Sequence, residues 1–210
     1  LPVETWHVAS IGIDVMLGAV AYGAGNVGLL CTGSEAPEYR AALQREMAQA
    51  QAILAALGYG GVHFQLVGAE QLAQLPTVAP AMTVGVAAGF NLSNDKRGTL
   101  EFVIEHLLKH AAVKPAEVAL PTGSMFGAVR VDKEKCTLCL ACAGACPESA
   151  LMDGAEYPRL KFLERNCVQC GLCEATCPES AITLQPRLLL DDSRKREVVL
   201  NESDPFNCIS

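Results

Sequence analysis

CTLCLACAGACP occupies Cys136–Pro147, and CVQCGLCEATCP occupies Cys167–Pro178. These two stretches determine the fold of the C-terminal half of this chain. Both follow the pattern C-x-x-C-x-x-C-x-x-x-C-P, and each cysteine of the first recurs 31 residues later in the second. PESA at Pro147–Ala150 recurs at Pro178–Ala181 with the same offset. A repeat this regular predicts two pseudo-symmetric halves, each with one loop, one short helix and strand segments.

The cysteine spacing is typical of 4Fe–4S binding. Three thiolates separated by two residues can surround one face of a cubane cluster, and the fourth, three residues further on, points away and ligates the other cluster. Pro147 and Pro178 fix the backbone after that crossing ligand. The pattern therefore predicts two 4Fe–4S clusters: cluster one on Cys136, Cys139, Cys142 and Cys177, and cluster two on Cys167, Cys170, Cys173 and Cys146.

Zinc and disulfides are the alternatives to iron for these cysteines. Structural zinc takes four ligands in two pairs, so a third cysteine in each run would be surplus. Cysteines this close together in a run cannot all reach disulfide partners with acceptable geometry. Small residues between the ligands, such as Ala141, Gly144 and Gly171, leave backbone N–H groups able to point at cluster sulfurs and tune the potential. Because every ligand is cysteine, we expect a low-potential pair of clusters.

Residues 126–190 resemble a bacterial two-cluster ferredoxin. FGAVRVDKEKC at 126–136 and AITLQP at 181–186 match the terminal strands that pair in that family, and ALMDG at 150–154 and RLKFLERNC at 159–167 fit its central hairpin. The resemblance implies an α+β ferredoxin-like domain that carries single electrons between redox enzymes. The arrangement also resembles the C-terminal part of large multi-cluster ferredoxin-like proteins.

The N-terminal half alternates short apolar runs with helical patterns. Helices are expected over residues 13–22, 38–57 and 95–110, the second ending at Gly58. Strands are expected over residues 4–9, 27–31, 62–67 and 82–88. Strand and helix alternation at this spacing predicts an α/β domain with a mostly parallel sheet.

Gly23-Ala24-Gly25-Asn26-Val27-Gly28 has the form G-x-G-x-x-G. A dinucleotide site needs this motif after a strand and at the start of a helix, whereas here it follows a helical pattern and precedes a strand. We interpret it as a turn. The alternative is an oxidoreductase subunit whose N-terminal domain binds flavin or nicotinamide.

Residues 1–112 loosely resemble the delta subunit of methyl-viologen-reducing hydrogenases. The matching features are HVASIGIDVMLGAVAYGA, VGLLCTG, EYRAAL with LAALGY, and GTLEFVIEHL. That family passes electrons to a heterodisulfide reductase partner. Most of its cluster-binding cysteines are absent here, with only Cys31 near such a place, so the resemblance implies a docking or scaffold domain without a cluster.

The composition and its changes along the chain also predict the domain boundaries, the class of partner and the location. We predict an α/β domain at 1–122, the two-cluster ferredoxin domain at 123–190 and a truncated C-terminal tail at 191–210. The net charge of −7 disfavours a nucleic-acid partner. Residues 15–34 lack charge, but five glycines weaken any helix through them and disfavour a membrane span. The sequence shows no basic segment ahead of an apolar stretch, as an export signal would, and with oxygen-labile clusters a cytoplasmic location is expected.

The expected function is electron transfer rather than catalysis by this chain alone. The clusters relay single electrons to or from a partner oxidoreductase, such as a dehydrogenase, hydrogenase or reductase subunit, and no catalytic residues are predicted. Two cysteines lie outside the repeat: Cys31, expected to be a small core residue, and Cys208, in a terminal segment that could be half of a further motif. Both ends of the chain resemble cut ends, so a longer native chain is expected.

Overall fold

A computed structural model describes residues 2–72, 79–92 and 95–204 of the 210-residue chain. It divides into two compact units, Leu1–Pro115 and Ala116–Ser210. Within the described residues no helix combines the length and the apolar character needed to cross a membrane. Cys208 lies outside the described residues.

In its described residues the first unit contains three α-helices and a two-stranded parallel sheet. Its elements are α1 (Ile13–Ala21), β1 (Val27–Cys31), α2 (Pro37–Ala56), β2 (Phe64–Gly68) and α3 (Lys96–His110). β1 and β2 pair in register from Val27 opposite Phe64 to Cys31 opposite Gly68. All three expected helices form, and α2 ends where Gly58 adopts a left-handed conformation with φ +87°.

The parallel sheet is smaller than expected, because two of the four expected strands do not form. Residues 4–9 are mostly exposed and include only the start of a 3₁₀ turn at Val8–Ser10. Residues 82–88 bond irregularly instead: the N–H of Met82 donates to Gly60 O at 2.8 Å and that of Ala88 donates to Ala21 O at 2.8 Å. Met82 and Val86 are exposed, so this segment lacks the buried face that would hold a strand in a sheet.

Helix packing provides the core of the first unit. The fully buried side chains come from one face of each helix: Met16, Leu17 and Val20 from α1, Ile53 and Leu54 from α2, and Val103 and Leu107 from α3. The Tyr59 hydroxyl donates a hydrogen bond to Leu107 O at 2.8 Å, which joins the end of α2 to α3. The unit is therefore stabilised mainly by apolar contacts between its helices.

Leu107→Ala should destabilise the first unit by about 2 to 5 kcal/mol, because it leaves a cavity at a side chain that is 0 % exposed. Urea unfolding followed by far-ultraviolet circular dichroism measures the change. Lys109→Ala, on the exposed face of the same helix, is the control and should shift the free energy of unfolding by no more than about 0.5 kcal/mol. Equal effects of the two variants would contradict this description of the core.

The second unit is α+β, with two short helices and two antiparallel sheets. Its elements are β3 (Glu117–Ala119), β4 (Gly127–Val131), α4 (Ala141–Ala145), β5 (Leu151–Asp153), β6 (Arg159–Leu163), α5 (Leu172–Thr176), β7 (Ile182–Leu189) and β8 (Glu197–Glu202). One sheet has the order β3-β7-β4 and the other β5-β6-β8. α5 lies 31 residues after α4, so the structural repeat follows the sequence repeat.

Two strands extend the second unit beyond the expected limits of 123–190. β3 pairs with β7 through Glu117 opposite Leu189, and Arg187 on β7 donates to the Glu117 carboxylate at 2.8 Å. The segment expected to be a tail contains β8, which pairs with β6 and buries Asn201. The sequence pattern did not indicate either strand, because the hydrogen bonds of each go to a partner distant in sequence and β3 has only three residues.

Candidate metal centre

Each cysteine motif forms a loop followed by a single helical turn. Cys136 and Cys139 lie in the first loop, Cys142 lies within α4, and Cys146 caps the C-terminal end of that helix. The second motif repeats this placement, with Cys173 in α5 and the other three cysteines at the equivalent positions. In each motif the third cysteine lies within the short helix and the fourth immediately follows its last residue.

The loop backbones adopt the same unusual conformation in both halves. Three positions in each half have positive φ, and they are related by the offset of 31: Leu138 (56°) and Gln169 (54°), Leu140 (58°) and Gly171 (80°), Ser149 (50°) and Ser180 (48°). Residues other than glycine rarely adopt this region, so its repetition at five such positions marks a strained backbone held by its surroundings. Left-handed residues within a loop turn successive N–H groups towards one side, which suits an anionic centre.

Two cavities gather the cysteines of the motifs. The lining of one includes Cys136, Cys139, Cys142 and Cys177. The lining of the other includes Cys146, Cys167, Cys170 and Cys173. Each cavity thus combines three cysteines of one motif with the fourth cysteine of the other motif.

Backbone amides donate hydrogen bonds to cysteine sulfur at equivalent places. Ala150 N donates to Cys146 Sγ at 3.2 Å, and Ala181 N donates to Cys177 Sγ at 3.3 Å. A side chain also takes part, since Gln169 Nε2 lies 3.3 Å from Cys167 Sγ. Donors that point at sulfur stabilise thiolate, the form that binds metal.

Burial of the cysteine side chains has the opposite effect, because it raises the pKa of the thiols and so disfavours thiolate. It is the largest cause of the raised pKa of Cys142 and of Cys167, and it raises the pKa of Cys173 to about 11. The neighbouring sulfurs raise these pKa values further, because thiolates brought together repel one another. Without a metal the three sulfurs hold their protons at neutral pH, so metal binding must release them.

The donor set fits iron–sulfur clusters better than the alternatives. No disulfide bond joins the nine cysteines in the described part of the chain. Among the same residues, no three His, Cys, Asp or Glu side chains converge on a point where a single metal ion could sit. Four cysteines around each cavity, with N–H groups directed at the sulfurs of Cys146, Cys167 and Cys177, match the cysteine ligation of a cubane cluster.

The structure adds residues that the sequence patterns did not single out. Gln169 contacts a cysteine sulfur, and Asn201 Nδ2 on β8 donates to Cys136 O at 3.3 Å. Gln169 occupies a variable position of the second cysteine motif, and Asn201 lies outside both motifs, 65 positions after its partner. Cys31 lies at the end of β1 in the first unit, 2 % exposed, as expected of a core residue.

Comparison with known protein families identifies the same region. The family described as a 4Fe-4S binding domain matches twice, at residues 129–152 and 160–183. No curated protein matches the chain. The family matches do not reach residues 1–112, so the resemblance of that half to a hydrogenase delta subunit stays a prediction. The prediction of two clusters is confirmed: the chain contains a ferredoxin-type segment that binds two 4Fe–4S clusters and serves iron–sulfur electron transfer.

Proposed function

We propose that this chain relays single electrons through its two clusters to or from a partner oxidoreductase. The observation that carries the proposal is the pair of cavities, each lined by three cysteines of one motif and one of the other. A bound 4Fe–4S cluster takes up and releases one electron. The chain's own residues hold the clusters, donate hydrogen bonds to their ligands and keep them partly buried.

The ligand sets proposed from the geometry are those that the spacing predicts. Cluster one is held by Cys136, Cys139, Cys142 and Cys177, and cluster two by Cys146, Cys167, Cys170 and Cys173. In this assignment α4 connects the two sites, because Cys142 serves cluster one and Cys146 serves cluster two. Four residues of helix correspond to a rise of about 6 Å, so the ligands of the two clusters lie close enough for rapid electron exchange.

Anaerobic reconstitution with iron and sulfide tests the cluster content. We expect about eight iron and eight sulfide per chain, with the broad brown absorption of 4Fe–4S centres, because each set of four cysteines holds one cubane. A fully loaded sample with four iron or fewer would defeat the two-cluster assignment. A sample that binds zinc in preference to iron, without sulfide, would also do so.

The first unit is proposed to be a docking or scaffold domain rather than a second redox site. Its one described cysteine, Cys31, is enclosed in the core, and burial raises the pKa of its thiol. The chain is therefore proposed to act as an electron carrier or as a subunit of a redox complex. A dehydrogenase, a hydrogenase or a reductase is the class of partner proposed, and a cytoplasmic location stays a prediction.

The flavin or nicotinamide alternative gains no support from the Gly-rich turn. Residues 23–26 connect the end of α1 to the start of β1, which is the reverse of the strand-to-helix order in a dinucleotide site. Gly23, with φ +102°, follows the C-cap of α1, and its N–H donates to Val20 O at 2.9 Å. This geometry is that of a helix C-terminus.

A further inference from the structure

The hydrogen bonds to the cysteine sulfurs are not fully symmetric between the two halves. The bonds from Ala150 N and Ala181 N to the fourth cysteine of each motif are related by the offset of 31 residues. The bond from Gln169 Nε2 to Cys167 Sγ is not repeated, because the residue equivalent to Gln169 is Leu138. A leucine side chain has no N–H group, so it cannot donate to the equivalent sulfur of Cys136.

The orientation of the Gln169 amide is fixed by its other contact. Nε2 also lies 3.0 Å from Ala128 O, which can only accept a hydrogen bond, so the NH₂ end of the amide must face both that carbonyl and the sulfur. Gly127 supplies the necessary space, since a Cβ atom there would lie 2.5 Å from Gln169 Cδ. The position equivalent to Gly127 in the other half is Pro158. The glycine that leaves room for Gln169 in one half is therefore not repeated in the other.

We infer that Gln169 makes the two clusters inequivalent, by raising the reduction potential of the cluster bound to Cys167 above that of the cluster bound to Cys136. Reduction adds one negative charge to a cluster, and this charge is shared with the cysteine sulfurs. An N–H donor at a sulfur stabilises the reduced state more than the oxidised state, so the potential rises. The inference rests on the proposed function, in which both cysteine sets hold clusters.

Two other influences on the reduction potentials can be compared between the two halves: the carboxylates beside the cavities and the burial of the first cysteine of each motif. Glu148 lines the second cavity and its equivalent Glu179 lines the first, so these carboxylates act alike on the two clusters. Cys167 is more buried than Cys136, and burial alone disfavours the added charge. The Gln169 amide opposes that effect, because it supplies the donor that water would otherwise provide. Its removal would leave Cys167 buried without that donor.

The expected consequence is a direction for electron flow within the chain. With both clusters bound, an electron would reside preferentially on the cluster held by Cys167. Its transfer from the cluster held by Cys136 would oxidise that cluster by one electron and reduce the other by one electron. Partially reduced protein should therefore hold its unpaired electron mainly on the cluster next to Gln169.

Gln169→Leu is the variant that tests this inference in the full, cluster-loaded chain. Leucine is suited to the backbone, because Leu138 has φ 56° at the equivalent position and Gln169 has φ 54°. Protein-film voltammetry should show two one-electron waves, of which only the higher moves downwards in the variant. At a given electrode potential, we expect the ratio of oxidised to reduced cluster to change three- to tenfold. A tenfold change corresponds to a shift of the reduction potential by roughly 59 mV.

A control variant and a second measurement distinguish an effect of the Gln169 hydrogen bond on the reduction potential from a general structural effect of the substitution. Leu138→Met changes the equivalent position without adding a donor, and both waves should stay in place. In the wild type, exchange into D₂O should shift an Fe–Sγ stretching band in the resonance Raman spectrum, and Gln169→Leu should reduce this shift. The Raman comparison does not depend on measured reduction potentials. It can be repeated with Gln169→Met if the leucine variant folds poorly.

Three outcomes would overturn the inference. They are unchanged waves in a fully loaded Gln169→Leu protein, an equal movement of both waves, and a Raman isotope shift that the variant does not alter. Iron and sulfide content is measured on the same samples. A loss of both clusters from the wild type would instead count against the proposed function, so the two failures can be distinguished.

Discussion

Cys177→Ala should remove cluster one and leave cluster two, although Cys177 belongs to the second motif. Its side chain lines the cavity of Cys136, Cys139 and Cys142, while the cavity of the second motif contains Cys146 instead. Alanine provides no thiolate, so cluster one would keep only three protein ligands. We expect the iron content to fall from about eight to about four per chain, because a 4Fe–4S cluster with three cysteines is easily lost.

Matched variants show which cluster is lost. Cys136→Ala also removes a ligand of cluster one, so its electron paramagnetic resonance spectrum and its remaining potential should match those of Cys177→Ala. Cys146→Ala should in turn match Cys167→Ala. If Cys177→Ala matched Cys167→Ala instead, each motif would hold its own cluster and the crossed assignment would be wrong.

Removal of both clusters should unfold the second unit and leave the first unit folded. The core of the second unit includes three of the proposed ligands, Cys142, Cys167 and Cys173, among ten buried residues, two of which are alanine. Without iron these sulfurs lose the bonds that connect the loops to each other. The free energy of cluster binding is then lost from the folding free energy of this unit. The first unit retains its apolar contacts between helices, which involve no proposed ligand.

Hydrogen exchange measured by mass spectrometry can follow the two units separately. After oxidative removal of the clusters in the presence of a chelator, amides of β4 and β7 should exchange at least about a hundredfold faster, because sub-global opening governs their protection. Amides of α1 and α3 should keep their protection. Continued protection of β4 and β7 in iron-free protein would contradict this prediction, and equal loss in both units would show that they unfold together.

The parts that sequence could predict are those governed by local rules. Cysteine spacing predicts the two clusters, since the positions of ligands in a short loop depend on few residues. The helix at residues 38–57 is predicted to within one residue at each end, because strong helix formers are followed by Gly58. The turn at residues 23–26 is predicted by its order between a helix and a strand.

The parts that sequence could not predict depend on contacts between distant residues. β8 forms because β6 offers it an edge, and Asn201 reaches Cys136 across 65 positions. Residues 82–88 carry a strand-like pattern but bond instead to Gly60 and to Ala21, the last residue of α1. The role of Gln169 appears only when Ala128 and Gly127 are placed beside it. Such contacts have no periodicity and no motif to reveal them.

The paired left-handed positions have a consequence for how such loops can diverge after duplication. At the second of these positions one copy has Leu140 and the other has Gly171, so both an unbranched Cβ and no Cβ have been compatible with the same backbone. Valine, isoleucine and threonine fit this conformation least well, because their branched Cβ crowds the following carbonyl. Only a few residue types are therefore compatible with these positions in either copy. The divergence of the two copies at these positions is limited by backbone chirality rather than by iron chemistry.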